Sequence, residues 1–456
     1  MAEVRSFVGR KKWGRLAPCA FRHAVRRNGG MRFAYPPYAP FGVNPMAEVL
    51  HRQAQNDATV ADLDREVVVT RAGGPLQDEG LHKIVVVGGG AAGLELVTRL
   101  GDRLGRRQRA SVALVESART HLWKPLLYEA AAGSMDPGEY ELNYLAQAHW
   151  HGFRYRLGEM IGLDRAAREV RLGATFDDEG RQITPPRSVA YDTLVIAIGS
   201  VTNDFGTPGV AEHAVPLETP AEAARFNRRL VNACIRAETQ EGPVRPGQLH
   251  VAIVGAGATG AELAAELHRT TREVVAYGLD RIDPERDIRI VLIEAADRIL
   301  PGLPKRISEA ARRLLDRMGI EVHTGAKVTE VTADGLLLAD GSFIASELVV
   351  WAAGVKASEV LRHIDGLEVN RINQLVVEPT LETTRDPDIF AIGDCAACPR
   401  QGEPTPVPPR AQAAHQEAAP YGAPDRASAA RRAVAALRTG ISARWCPSAS
   451  TVPWEP

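Results

Sequence analysis

Apolar residues in this chain gather in short unbroken runs rather than in long periodic stripes. Two runs, Lys83-Ile84-Val85-Val86-Val87 and Val251-Ala252-Ile253-Val254, are β-branched and too short for buried helices, so each reads as a strand covered on both faces. Each empties into a glycine turn and then a helix-forming stretch: Gly88-Gly89-Gly90-Ala91-Ala92-Gly93 and Gly255-Ala256-Gly257-Ala258-Thr259-Gly260. The runs Ser111 to Glu116 and Ile290 to Glu294 supply the next strand of each unit, and both close on a glutamate. Tyr191 to Ser200 reads as a buried strand ending in Gly-Ser, and Leu348 to Gly354 matches it in the second half. Strand, glycine turn, helix and strand, used twice, predict an α/β fold of two nested Rossmann-like units.

The glycine spacing carries chemistry. In GxGxxG the first glycine makes a tight turn and the second lets backbone approach a pyrophosphate. The third lets helix and strand pack closely, so that the helix N-terminus points its dipole at the phosphates. One such string is weak; two, each preceded by a strand and followed by an acidic strand end, are strong. Gly88, Gly90, Gly93 and Glu116 therefore form one candidate dinucleotide site, and Gly255, Gly257, Gly260 and Glu294 a second. Each glutamate lies roughly 20 to 35 residues past its last fingerprint glycine, near or beyond the usual distance for a carboxylate that accepts hydrogen bonds from a ribose diol. The longer second gap is explained by an inserted loop around Tyr277 to Arg286. A carboxylate there repels a 2′-phosphate, so Glu294 argues for NADH over NADPH, with Arg298 nearby as the opposing signal.

Composition adds limits. The chain has 456 residues, 45% hydrophobic and 24% charged, with net charge −1, which fits two or three domains of an ordinary globular protein. Near neutrality gives no reason to expect nucleic acid as a partner. No apolar run approaches the ~18 to 20 residues of a spanning helix. Five cysteines do not make a secreted disulfide framework, and a reducing cytosol is the default compartment. Cys395 and Cys398 read as a structural pair: a zinc site would need a second pair, which Cys19, Cys234 and Cys446 do not supply, so no metal is expected. Residues 1–80 are basic at the start and then proline-rich, without the apolar core of a signal peptide, and read as a disordered extension or a misplaced start.

The predicted order is a flavin domain over 81–217, an inserted nicotinamide domain over 218–360, and the flavin domain's remainder over 361–417. The third strong string is Asp388-Ile389-Phe390-Ala391-Ile392-Gly393-Asp394. In two-domain flavoproteins a strand ending Gly-Asp delivers its carboxylate to the ribityl chain of FAD and opens a helix aimed at the flavin ring. Following two fingerprints, Asp394 points to FAD on the first site and NADH on the second, with hydride transfer between them.

Two longer strings bear on the electron acceptor: Thr120-His121-Leu122-Trp123-Lys124-Pro125-Leu126-Leu127-Tyr128-Glu129 and Pro408-Pro409-Arg410-Ala411-Gln412-Ala413-Ala414-His415-Gln416. From about Lys83 to Glu417 the chain closely resembles the bacterial type II NADH dehydrogenases, single-subunit NADH:quinone oxidoreductases that pump no protons, of the pyridine nucleotide-disulfide oxidoreductase fold type. The resemblance implies that Gln412 and Gln416 form the quinone site; at i and i+4 they share one helix face. It implies that Glu129 delivers protons or organises the site, while His121 and Lys124 are weaker candidates. It also implies a quinone partner and peripheral attachment to the inner, cytoplasmic face of the plasma membrane, and it is compatible with a homodimer. The alternatives are an NADH-dependent reductase of a small iron–sulfur protein and an inactive truncated product without stable flavin.

The resemblance stops after Glu417. Residues 418–456 show no amphipathic apolar face, so the family's C-terminal membrane-binding region is expected to be lost. Shifted by one nucleotide, DNA encoding residues 437–455 can read as a segment typical of the family at this distance. A frameshift near residues 417–430 is therefore expected.

Overall fold

The computed structural model describes residues 80–399. In chain order the first unit contains β1 (Lys83–Val87), α1 (Ala91–Leu100), β2 (Ser111–Glu116), α2 (Leu127–Ala132), α3 (Tyr144–His151) and β3 (Arg154–Leu157). An antiparallel meander follows, β4 (Met160–Asp164), β5 (Glu169–Leu172) and β6 (Arg187–Ala190), and then β7 (Thr193–Ile196) and β8 (Ser200–Thr202). The second unit runs through β9 (Ala214–Pro216), α4 (Pro220–Thr239), β10 (His250–Val254), α5 (Ala258–Ala276), β11 (Arg289–Glu294), α6 (Lys305–Arg317) and β12 (Glu321–Thr324). It continues with a hairpin sheet, β13 (Val328–Thr332), β14 (Gly335–Leu338) and β15 (Phe343–Ala345), and closes with β16 (Leu348–Trp351) and β17 (Val355–Ala357). The chain then returns to the first unit with β18 (Leu375–Val376), β19 (Glu382–Thr383), β20 (Asp386–Ala391) and β21 (Ala396–Ala397).

The first sheet has the order β19-β20-β7-β1-β2-β3, and the second β9-β16-β10-β11-β12. Apart from β19, which pairs antiparallel, both sheets are parallel throughout. In each, the strand that feeds the glycine turn sits between the acidic strand and a strand from later in the chain. This is the switch point where α/β sheets open a crevice at their strand ends. Ile84, Val86, Val251 and Ile253 are fully buried, as central strands of a parallel sheet require.

Three details depart from the sequence reading. The strand expected over Tyr191–Ser200 stops at Ile196, and Ser200 instead begins β8, which pairs antiparallel with β17 and ties the exits of the two units together. Ala214–Pro216, before the expected boundary at 218, is already an edge strand of the second sheet. Gly393-Asp394 opens no long helix: a single 3-10 turn, Gly393–Cys395, leads into β21, which pairs with β18. The Cys395 thiol there lies 3.3 Å from the carbonyls of Ile196 and Ile392, so the chain is held against β7 instead of propagating a helix.

Helix α4 shows how local sequence sets the scaffold. Thr219 accepts from the Glu222 N–H, Glu222 reaches back to the Thr219 N–H, and Pro220 stands at the first helical position. Its buried residues, Ala223, Phe226, Leu230, Ala233, Cys234 and Ala237, recur at helical spacing on one face.

Candidate functional site: two cradles and a carboxylate clasp

The two glycine turns are built alike. Gly88 and Gly255 both have φ +102°, a conformation that side chains rarely adopt. A Cβ on Gly88 would lie 2.5 Å from the Ala197 carbonyl oxygen, and one on Gly255 2.6 Å from that of Ala352. On Gly93 and Gly260 it would lie 1.8 and 2.0 Å from the carbonyl oxygens of Gly88 and Gly255. Over the middle glycines, Gly90 and Gly257, nothing stands within 4 Å. The outer glycines are thus demanded by the chain's own backbone, and the middle ones face open space where a phosphate can approach.

Helices α1 and α5 start at these turns with neither a side-chain cap nor an acid in the first turn. Their leading N–H groups are therefore left for an anion.

The acidic strand ends behave in parallel. Glu116 Oε2 accepts from the Gly89 N–H at 2.6 Å, and Oε1 accepts from the Ser117 and Ala118 N–H groups at 2.7 and 3.0 Å. Glu294 Oε2 accepts from the Ala256 N–H at 2.8 Å, and Oε1 from the Ala296 N–H at 2.9 Å. Each carboxylate is half-buried and fixed beside its turn, with further lone pairs to offer a diol. Arg298 is engaged locally, donating to the Pro301 carbonyl at 2.9 Å.

Asp394, in the 3-10 turn that follows β20, is the meeting point of three distant segments. The Ser200 hydroxyl donates to Asp394 Oδ2 at 2.6 Å, and the Gln374 amide donates to the Asp394 carbonyl at 2.9 Å. Lys124 Nζ donates to the Ser200 carbonyl at 2.7 Å. Helix α2 begins just beyond Lys124. Its Leu127, Tyr128 and Ala130 to Ala132 are buried in the second unit's core, not the first's. Burying Leu127 and Tyr128 there contributes roughly 1.5–3 kcal/mol each, which anchors the helix on the second unit. Glu129 lies half-buried on this helix and accepts from the Tyr128 hydroxyl at 3.1 Å. Gln412 and Gln416 lie outside the described residues, as do the expectations for residues 1–79 and 400–456.

Sequence reasoning missed the aromatic floor of the first turn. The Tyr144 hydroxyl donates to the Gly89 carbonyl at 2.7 Å, and a Cβ on Gly89 would meet that hydroxyl at 2.5 Å. Tyr144 stacks on Tyr155, with centroids 5.6 Å apart, and meets His121 edge-on at 6.2 Å. Burial, then the charge of Glu116, pushes the phenol of Tyr144 well up and that of Tyr155 to about 12. Burial also lowers His121, opposed in part by Glu116. No periodic pattern marks these residues, because what places them is tertiary packing against a turn. Ser200 and Gln374 were likewise invisible as site residues. Cys395 and Cys398 are buried, and neither is in a disulfide among the described residues. Among the described residues no helix is long and apolar enough to cross a membrane.

The sequence profile of the pyridine nucleotide-disulphide oxidoreductase family matches residues 82–418. A type II NADH:quinone oxidoreductase of Haemophilus influenzae is 44% identical over 350 residues, covering 74% of this chain and 78% of that protein. An NDH2 structure from Plasmodium falciparum in complex with NADH superposes with a TM-score of 0.61 at 21% identity, over 70% of this chain and 64% of that one. A ferredoxin reductase from Rhodopseudomonas palustris shares the fold at a TM-score of 0.57 and 23% identity, over 78% and 76% of the two chains. With two matched cradles on one sheet plan and this degree of identity, the chain belongs to the type II NADH:quinone oxidoreductases within the pyridine nucleotide-disulphide oxidoreductase family.

Proposed function

We propose that the chain is an FAD-dependent NADH:quinone oxidoreductase that pumps no protons. In this reading residues 81–217 and 361–417 hold FAD, and residues 218–360 hold NADH. The observation that carries it is the duplicated cradle: an open middle glycine, an uncapped helix start and a backbone-fixed glutamate, at Gly90 and Glu116 and again at Gly257 and Glu294. FAD, when bound, supplies two-electron chemistry, taking hydride from NADH and passing the electrons to a quinone.

The chain's own residues bind and orient. Glu116 and Glu294 accept from ribose hydroxyls, and Asp394 accepts from the ribityl chain. Glu129, on helix α2, is assigned to holding or delivering a proton on the acceptor side. Gln412 and Gln416 are assigned to the quinone carbonyls. A lipid-soluble acceptor calls for a membrane surface, so peripheral attachment at the inner face of the plasma membrane belongs to this proposal, as does a homodimer.

A second reading, a reductase of a small iron–sulfur protein, is favoured by the fold shared with the ferredoxin reductase. Steady-state NADH oxidation by the full chain, with a short-chain quinone or a ferredoxin as acceptor, separates the two. Turnover with quinone alone is expected; turnover with ferredoxin alone would replace the first reading by the second.

A further inference from the structure

We propose that Ser200 is a positioning residue for FAD: its hydroxyl, with Lys124 locking its carbonyl, fixes the Asp394 carboxylate in the orientation that accepts the cofactor's ribityl hydroxyls. The proposal rests on the reading of Asp394 given above.

Ser200 is 6% exposed, and strand pairing with Ala357 holds its backbone. Its one proton goes to Asp394 Oδ2 at 2.6 Å, within the range of a charge-assisted O–H···O⁻ bond. Its carbonyl accepts from Lys124 Nζ at 2.7 Å. From the other side, Gln374, 2% exposed, donates to the Asp394 carbonyl at 2.9 Å, and its own Oε1 accepts from Asn370 Nδ2 at 2.9 Å. Backbone and carboxylate of one aspartate are thus each pinned by a buried side chain from another part of the sequence.

Among the described residues Asp394 Oδ1 makes no hydrogen bond, so the clasp spends one oxygen on orientation and leaves the other to accept. A carboxylate fixed before its ligand arrives avoids the entropic cost of ordering on binding. If Ser200 served only to cap β8, its loss would change stability and leave flavin affinity alone.

The test titrates FAD into the full-length apoprotein, following flavin fluorescence, together with a thermal melt of the same apoprotein. Asp394→Asn is expected to weaken FAD by about ten- to a hundredfold, and Ser200→Ala by about tenfold, the value of one hydrogen bond to a charged group. Ser200→Thr restores the affinity to within about twofold, because the hydroxyl is retained. Ser200→Ala combined with Asp394→Asn binds no more weakly than Asp394→Asn alone. Lys124→Met, at the surface end of the clasp, weakens FAD without shifting the apoprotein melt, and it carries the test should Ser200→Ala not fold. Unchanged affinity in Ser200→Ala or Lys124→Met beside a weakened Asp394→Asn would overturn the inference, as would additive losses in the double variant. Unchanged affinity in Asp394→Asn would overturn instead the reading of Asp394 on which the inference rests.

Discussion

Replacing Glu294 with Gln should exchange nicotinamide selectivity for tolerance. In the folded turn two peptide N–H groups aim at different oxygens of this carboxylate, Ala256 at 2.8 Å and Ala296 at 2.9 Å. Glutamine offers one oxygen and one NH₂, so whichever way its amide faces, one of the two N–H groups meets another donor. A hydrogen bond to a charged group is worth about 1.5–3 kcal/mol, and losing one, together with the diol's charged acceptor, should raise KM for NADH about ten- to a hundredfold. For NADPH the same loss competes with relief of repulsion. Two unit charges about 4 Å apart at an effective dielectric of about 20 repel by about 4 kcal/mol, so the net effect favours NADPH by about 1–2 kcal/mol. The ratio of kcat/KM for NADH over NADPH should therefore fall by about a thousandfold. The assay is initial-rate oxidation of each nucleotide with a soluble quinone. Equal losses for both nucleotides, leaving the ratio where it was, would refute the placement of Glu294 beside the 2′ position.

Four further outcomes follow from the same structure. Gly93→Ala places a Cβ 1.8 Å from the Gly88 carbonyl oxygen and should destabilise the apoprotein by about 3 kcal/mol or more. Gly90→Ala meets nothing within 4 Å, so it should leave the apoprotein melt within about 0.5 kcal/mol while weakening FAD; a thermal melt and an FAD titration of both variants check the contrast. Tyr144→Phe leaves the Gly89 carbonyl without its 2.7 Å donor and should cost about 0.5–1.5 kcal/mol in urea unfolding; no change would mean that the hydroxyl is not what holds the turn. The Tyr155 phenol, raised to about 12 from an ordinary value near 10, holds its proton more tightly when folded. Its contribution is present in full below pH 10 and is lost as pH rises toward 12, so Tyr155→Phe should flatten the stability profile in that window, measured by unfolding midpoints.

What the sequence made legible was everything governed by local rules. The β-branched runs at Ile84 and Val251 became central strands, and the glycine spacing fixed which positions the backbone closes and which it leaves open. The carboxylates at Glu116 and Glu294 reached their turns across helices of different length, since strand order, not loop length, sets where a strand ends. What stayed hidden depends on residues that meet only in the folded chain. Ser200 looked like the tail of one long strand, because nothing in Tyr191–Ser200 signals the break at Ile196 that turns its hydroxyl toward Asp394. Tyr144, far from the first turn in sequence, lies beneath Gly89 through the packing of α3. Gly393-Asp394 suggested a helix start, but the Cys395 thiol and the pairing of Ala396 with Leu375 hold the chain extended instead.

The account's central claim is that one chain holds both redox partners in two like cradles and passes electrons from one to the other. An anaerobic absorption spectrum of the purified full chain tests it most directly, with NADH added first and a soluble quinone second. The account predicts a flavin spectrum that bleaches on NADH and recovers on quinone. A colourless protein, or a flavin that NADH does not bleach, would contradict it.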